Sequence, residues 1–347
     1  MNIGSAITKA LTNTQIITAI VETLGTIILG FYLRKRQKLS ADAVKTLTTI
    51  TMTVALPLLA FTAFLTPLSH QTLIQSLDVL VWGLLIYIIL IILMPLLYFR
   101  YASGTKSVLG ILTSFGSTTF FGMPIVGAVY GAKGVMYASV FNIGYRIFLY
   151  SYAYIKMSGE QFRGEHIKKM LLNPIVLATF IGLFLWLIQN SIPQVSIDHS
   201  QVAFYRIDIT VPWLFTWLKL LAGLASPLAW LAIGANLGQM SLTKALKNKT
   251  SWYYSFNKVI LVPIIMAGLL IATTTFHLLP VDSTALATMV IMMATPVATV
   301  AVNYAMAFNR ESLLAANASL ISTIAATIAL PFWIIIIELL KELPIFK

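Results

Sequence analysis

Long apolar runs separated by short polar joints recur along the chain, and each run approaches the ~20 residues that one helix needs to cross a bilayer core. We place spans at 15–33, 44–66, 77–99, 107–130, 134–156, 172–190, 211–238, 256–277, 284–307 and 312–340. No gap leaves room for a separate soluble domain, so the pattern predicts an all-α polytopic membrane protein with ten transmembrane helices. The opening "MNIGSAITKALTNTQ" lacks a basic region followed by a short apolar core and cleavage site, and the first run is therefore read as a retained helix.

Ten spans divide into two sets of five, and an odd number of crossings inserts the second set upside down relative to the first. The prolines support that division. Pro57 and Pro124 are 67 residues apart, and Pro227 and Pro296 are 69 apart, so two prolines in each half keep nearly the same register. We expect a first five-helix repeat over 1–156, a cytoplasmic linker over 157–171 and an inverted five-helix repeat over 172–347. Two unrelated kinks are the plainer alternative, because prolines are common in membrane helices.

The fourth span contains "GSTTFFGMPIVGAVYG", with strong helix breakers where only lipid and protein are at hand to satisfy the backbone. Pro124 and, in the ninth span, Pro296 each remove a backbone donor and free polar groups. The second half of each broken span is expected to start at its proline, with Thr295 as a cap before Pro296 and Gly122 supplying backbone freedom before Pro124. The other glycines of the stretch, including Gly116 and Gly131, read more simply as places of close helix packing. The fourth span runs outward and the ninth inward, so the two half-helices would direct positive ends at one crossing near the midplane. Such a place attracts an anion.

Composition agrees with the pattern: 59% of residues are hydrophobic and 10% charged, the mean hydropathy is +0.88, and ordinary soluble domains are roughly one-quarter charged. The formal net charge is +12, but its placement matters more than its size. Alternate joints hold Arg34, Lys35, Arg36, Lys38, Lys45, Arg100, Lys106, Lys156, Arg163, Lys168, Lys169, Lys244, Lys247, Lys249, Lys258 and Arg310. The opposite side holds only Lys9, Lys133, Arg206, Lys219, Lys341 and Lys347. By the positive-inside rule both termini lie outside the cytoplasm of a multi-pass protein of the cell (plasma) membrane. The charge also favours anionic membrane lipids and gives no reason to expect nucleic acid as a partner. The chain has no cysteine, which excludes disulfides, thiolate metal sites and a cysteine nucleophile.

Arg146 in "FNIGYRIFLY" is the cation that topology leaves unexplained, near mid-span in the fifth helix. A charge at that depth costs roughly 2.5–3.5 kcal/mol on insertion scales and normally faces the bundle interior with a partner. A guanidinium binds a carboxylate through two parallel hydrogen bonds, so a substrate anion fits there. Glu22 in "AIVETLGT" is the alternative: a buried charge partner, a coupling site for a proton, or a carboxylate solvated near the outer interface. Asn142 lies one turn before Arg146, and Thr299 and Asn303 share a helix face after Pro296. These amides and hydroxyls serve a substrate or bond between helices. Asn236 and Ser226 are weaker candidates on the seventh span.

The stretches "GSTTFFGMPIVGAVYGAKGVMYASVFNIGYRIFLY", "VALPLLAF", "LLNPIVLATFIGLFLW", "PLAWLAIGANL" and "ATPVATVAVNYAM" resemble the auxin efflux carrier family, in particular its bacterial members known as malate permeases. The resemblance runs from about Ile20 to Ile337. It implies two inverted repeats of five helices and a substrate site where the fourth and ninth spans cross. It also implies a transport domain of spans three to five and eight to ten, moving in elevator fashion against a scaffold of spans one, two, six and seven. A homodimer is expected on the same ground. One departure stands at the site: many relatives have asparagine ahead of the glycine-x-proline, where this chain has Ser117, Thr118 and Thr119.

No H-E-x-x-H or G-x-S-x-G motif occurs, and the membrane spans offer no paired carboxylates, so enzymatic chemistry, metal and cofactors are not expected. A channel would use the same helices, but two broken spans in corresponding positions favour alternating access. The expectation is therefore a secondary transporter of a small organic anion, a dicarboxylate such as malate. Ser117, Thr118, Thr119, Gly122, Pro124, Asn142, Arg146, Thr295, Pro296, Thr299 and Asn303 would form its site. A sodium-coupled organic-anion symporter of the bile-acid type is the nearest alternative, followed by an anion channel.

Overall fold

The computed structural model describes residues 14–159, 168, 171–197, 200–239 and 245–346. Lys9, Arg163, Lys169, Lys244 and Lys347, and most of the expected linker 157–171, lie outside the described residues. Helices occupy every apolar run marked in the sequence: α1 (Thr14–Lys35), α2 (Ala41–Thr62), α3 (His70–Leu97), α4 (Ser103–Ser114), α5 (118–130), α6 (132–158), α7 (Pro174–Ile188), α8 (Pro212–Gln239), α9 (Lys249–Thr275), α10 (Ser283–Met293), α11 (Thr299–Ala307) and α12 (Ser312–Lys341). Among the described residues six helices are long and apolar enough to cross a membrane, namely α1, α2, α3, α8, α9 and α12; α7 and α10 are shorter apolar helices. The chain is thus a mostly helical, multi-pass membrane protein.

Polar residues at the joints start these helices. The side chains of Ser40, Ser69, Asn173, Asn248 and Asp282 each accept a hydrogen bond from a backbone N–H in the following first turn. Asn173 is followed by Pro174, whose missing donor costs nothing at the first helical position. Between α5 and α6 the chain turns at Gly131, where φ is 61°, a conformation that side-chain-bearing residues rarely adopt. A two-stranded hairpin that the hydrophobic pattern does not reveal, β1 (Gln194–Ile197) with β2 (Ser200–Ala203), precedes α8. Beside it buried Arg206 pairs with Asp208 at 2.7 Å and donates to Gln189 at 3.2 Å.

The helices sort into two packing groups. In one, α1 packs along α8, and α2 packs against α7 and the first half of α8. In the other, α3 packs on α4 and α6, and α10 lies among α6, α9 and α12. Every residue of α10 from Ala285 to Met293 is buried, as is every residue of α4 from Val108 to Ser114, so both stretches touch protein on all sides. The outer helices keep large apolar groups exposed, such as Ile28 on α1, Phe184 on α7 and Trp213 on α8, in keeping with lipid as their solvent.

Among the described residues four helical segments widen into π turns, at Thr51–Ala55, Thr118–Gly122, Leu149–Ala153 and Asn257–Leu261. Three are followed directly by a proline at the second position of the resumed α-helix: Pro57, Pro124 and Pro263. The wider turn gives a proline ring, which lacks a donor and crowds the preceding turn, a place inside a continuing helix. This overturns the expectation that Pro124 marks the break. The fourth run breaks instead at Phe115–Ser117, and α5 begins at Thr118. Gly122 has helical torsions, so it does not supply the freedom of a break. The ninth run breaks after α10, and α11 begins at Thr299 with Ala298, not Thr295, at its N-cap.

Lys258 is a second correction. It counted among the joint cations, but α9 starts at Lys249, so Lys258 lies about 14 Å along the helix. It is fully buried.

Candidate functional site

The two breaks meet in a short antiparallel bridge between Gly116 and Val297. Ser117 N–H donates to the Pro296 carbonyl at 2.7 Å, and Ala298 N–H donates to the Phe115 carbonyl at 2.9 Å. Each broken helix thereby satisfies backbone groups that the other has freed, which lipid could not do. Val297 N–H donates to Ser322 Oγ of α12 at 3.3 Å, fixing the bridge to that helix. A Cβ on Gly116 would stand 2.3 Å from Thr295 Oγ1 and 2.9 Å from Lys258 Nζ, so a larger residue here would have to displace both side chains.

Beyond the bridge α5 and α11 run on from Ser117 and Ala298, and their first turns border one cavity of about 330 Å³. The opening N–H groups of a helix have no intrahelical partner and carry partial positive charge, so two helix starts contribute to one site. The packing group of α1, α2, α7 and α8 closes the other side with Thr48 and Met52 of α2, Asn173 and Ile175 at the start of α7, and Asn236 of α8. An adjoining cavity of about 290 Å³ shares Ser117, Phe120, Asn236, Thr299 and Asn303 and adds Pro296. The space therefore lies between the two groups of helices.

Of the residues singled out in the sequence, Ser117, Thr119, Arg146, Thr299 and Asn303 line the larger cavity. Arg146 is 6% exposed, and its Nη2 has no hydrogen-bond partner. Among the described residues it forms no ion pair. Glu22 is exposed on α1 and is not the charge partner of Arg146. Asn142 is fully buried and reaches the cavity indirectly, its Nδ2 donating to Thr119 Oγ1 at 3.5 Å, while its Oδ1 is unpartnered.

The remaining expected residues are not cavity groups. Thr118 is buried with its Oγ1 unpartnered. Thr295 Oγ1 donates back to the Met292 carbonyl at 2.9 Å, at the end of α10. Gly122 packs closely on Met292 and Thr295, and the Pro124 carbonyl accepts from Ser226 Oγ of α8 at 2.9 Å.

Sequence reasoning missed Tyr150, Asn173 and Thr48 as cavity residues and gave too little weight to Asn236, which borders both spaces. Asn236 had a usable signal: a polar amide inside an apolar span. Asn173 had none, since an asparagine before a proline reads as a helix cap, which it also is.

Apolar helices, two of them interrupted at one bridge beside a cavity that holds a buried arginine, hydroxyls and amides, are the architecture of a membrane transport protein. The profile of the membrane transport protein family matches residues 15–167 and 161–334, nearly the whole chain. The chain belongs to this family, that of the auxin efflux carriers. No curated protein matches the chain.

Proposed function

We propose that this transporter carries a small organic anion, a dicarboxylate such as malate, in the cavity where α5 and α11 begin. The observation that carries this reading is Arg146. A guanidinium that is buried, lines a cavity and has no carboxylate partner among the described residues calls for an anion in that cavity. Thr119, Thr299 and Asn303 add neutral hydrogen-bonding groups, and the two helix starts add partial positive charge for a second carboxylate. The volume of about 330 Å³ is at the small end of the ~300–1,000 Å³ usual for ligand sites.

The reading takes the spans as ten, in inverted sets of five over 1–156 and 172–347, with the termini outside the cytoplasm. In it the α1, α2, α7 and α8 group is a scaffold, and the other group moves past it with the anion in elevator fashion. The position of the cavity between the two groups supports that division. Cysteines introduced at Ser117 and Thr299 should then become labelled from opposite sides in different states; one-sided labelling throughout would exclude the movement.

The deciding experiment is radiolabelled malate uptake into proteoliposomes by the wild type beside Arg146→Ala, with thermal unfolding to check both. Saturable wild-type uptake that a folded variant loses is the expected result. A folded wild type that takes up no malate, succinate or other dicarboxylate under sodium, proton or exchange conditions would overturn the substrate class.

A further inference from the structure

Lys258 is a buried cation that the proposed anion site does not use. It sits on the π turn Asn257–Leu261 within α9, is fully buried, and its Nζ has no hydrogen-bond partner. It does not border the cavity that holds Arg146. Its Nζ stands instead against Gly116, 2.9 Å from where a Cβ would project, and Thr295 Oγ1 is 2.3 Å from the same point. Gly116 follows Phe115, the C-terminal cap of α4, and Thr295 follows Ala294, the C-terminal cap of α10. The ammonium thus lies where two helices end, and helix ends of this polarity carry partial negative charge.

Among the described residues Lys258 forms no ion pair, and neither α4, α9 nor α10 carries a carboxylate. The only ionisable group on α4 is Lys106, and α10 has none. Besides Lys258, α9 carries Lys249, Tyr253 and Tyr254; Tyr254 donates to the Leu112 carbonyl, and Tyr253 to the Leu97 carbonyl. Tyr98, at the end of α3, accepts from Asn257. On α12 Glu338 pairs with Lys341 at 2.9 Å, about 24 Å along the helix from Ser322. The ends of α4 and α10, with the Thr295 hydroxyl, are therefore what the structure brings near the amine.

In carriers built from interrupted helices, half-helix C-terminal ends and unwound carbonyls hold the coupling cation. Here a side chain of the protein occupies that position. We propose that Lys258 is a tethered cation standing where a coupling ion would bind, so that this carrier works without sodium, and shortening the side chain opens a site for a monovalent metal ion. The inference rests on the transporter reading above and decides within it against the sodium-coupled alternative.

The test needs no substrate, so it stands apart from malate uptake. Purified wild type, Lys258→Ala and Lys258→Met are unfolded thermally in sodium chloride and in N-methylglucamine chloride of equal ionic strength. Wild type should unfold at the same temperature in both. Lys258→Ala should gain about 2–4 °C in sodium through binding to the vacated position, whereas Lys258→Met, whose thioether fills the space, should gain nothing. Lys258→Ser adds an oxygen ligand and serves if the alanine variant does not fold. Specific stabilisation of the wild type by sodium would overturn the proposal. So would indifference of the alanine and serine variants to lithium, sodium and potassium, or failure of both to fold in any of these salts.

Discussion

Arg146 and Lys258 are both buried cations without a carboxylate partner among the described residues, yet the protein encloses them differently. Arg146 borders a space large enough for a solute and shares it with hydroxyls and amides. Lys258 is walled in by packed helices, with the ends of α4 and α10 as its counter-charge. A guanidinium presents a planar fork that suits a carboxylate, whereas an ammonium is a compact point charge that suits a ring of carbonyls. The difference teaches that a buried charge is informative through what surrounds it: an exchangeable space points to a ligand, and tight packing at two helix ends points to a permanent part of the joint.

Substitutions separate the two cases. Arg146→Ala has the largest expected effect, a fall in uptake of about 100-fold or more, with a Tm near that of wild type because no partner is left uncompensated. A collapse in Tm with unchanged uptake per folded molecule would make Arg146 the structural cation and break the contrast. Gly116→Val is next, since its side chain would overlap Thr295 and the Lys258 amine; overpacking of about 1–3 kcal/mol should lower the Tm by roughly 2–12 °C.

Asn303→Ala and Thr299→Val should each raise KM about 3–10-fold without a comparable loss of Tm, which sharpens the assignment of the cavity side. Ser322→Ala should do the reverse: loss of its bond to Val297 N–H costs about 1 kcal/mol, read as roughly 2–4 °C in Tm at unchanged KM. The smallest effect belongs to Lys133→Ala. Its 2.9 Å ion pair with Asp282 is half exposed on the lysine side, so the Tm should change by about 1 °C or less.

The helices were legible because a run of about 20 apolar residues has few other uses, and the two places of interruption were legible to within one span. Their residues were not. Pro124 is the most conspicuous helix breaker in its span, yet a π turn absorbs it, and the break falls on Phe115, Gly116 and Ser117, which in sequence look like ordinary span residues. Arg146 was visible because it lies in mid-span, far from any joint. Lys258 was hidden by a boundary error: the polar first turns of α9, "KTSWYYSF", look like a joint, and a lysine just beyond them is read as topology. Glu22 and Arg146 shows the opposite failure, in which the need for a charge partner was clear but the sequence could not show which way α1 faces.

The bridge between Gly116 and Val297 is made by main-chain groups of residues 115, 117, 296 and 298. Apart from the glycine, its bonds do not depend on which side chains these positions carry. The joint can therefore stay fixed while Ser117, Thr119, Thr299 and Asn303 vary around it. Evolution can rewrite the polar lining at this point as one swaps the bits of a fixed chuck, because the fastening is written in the main chain.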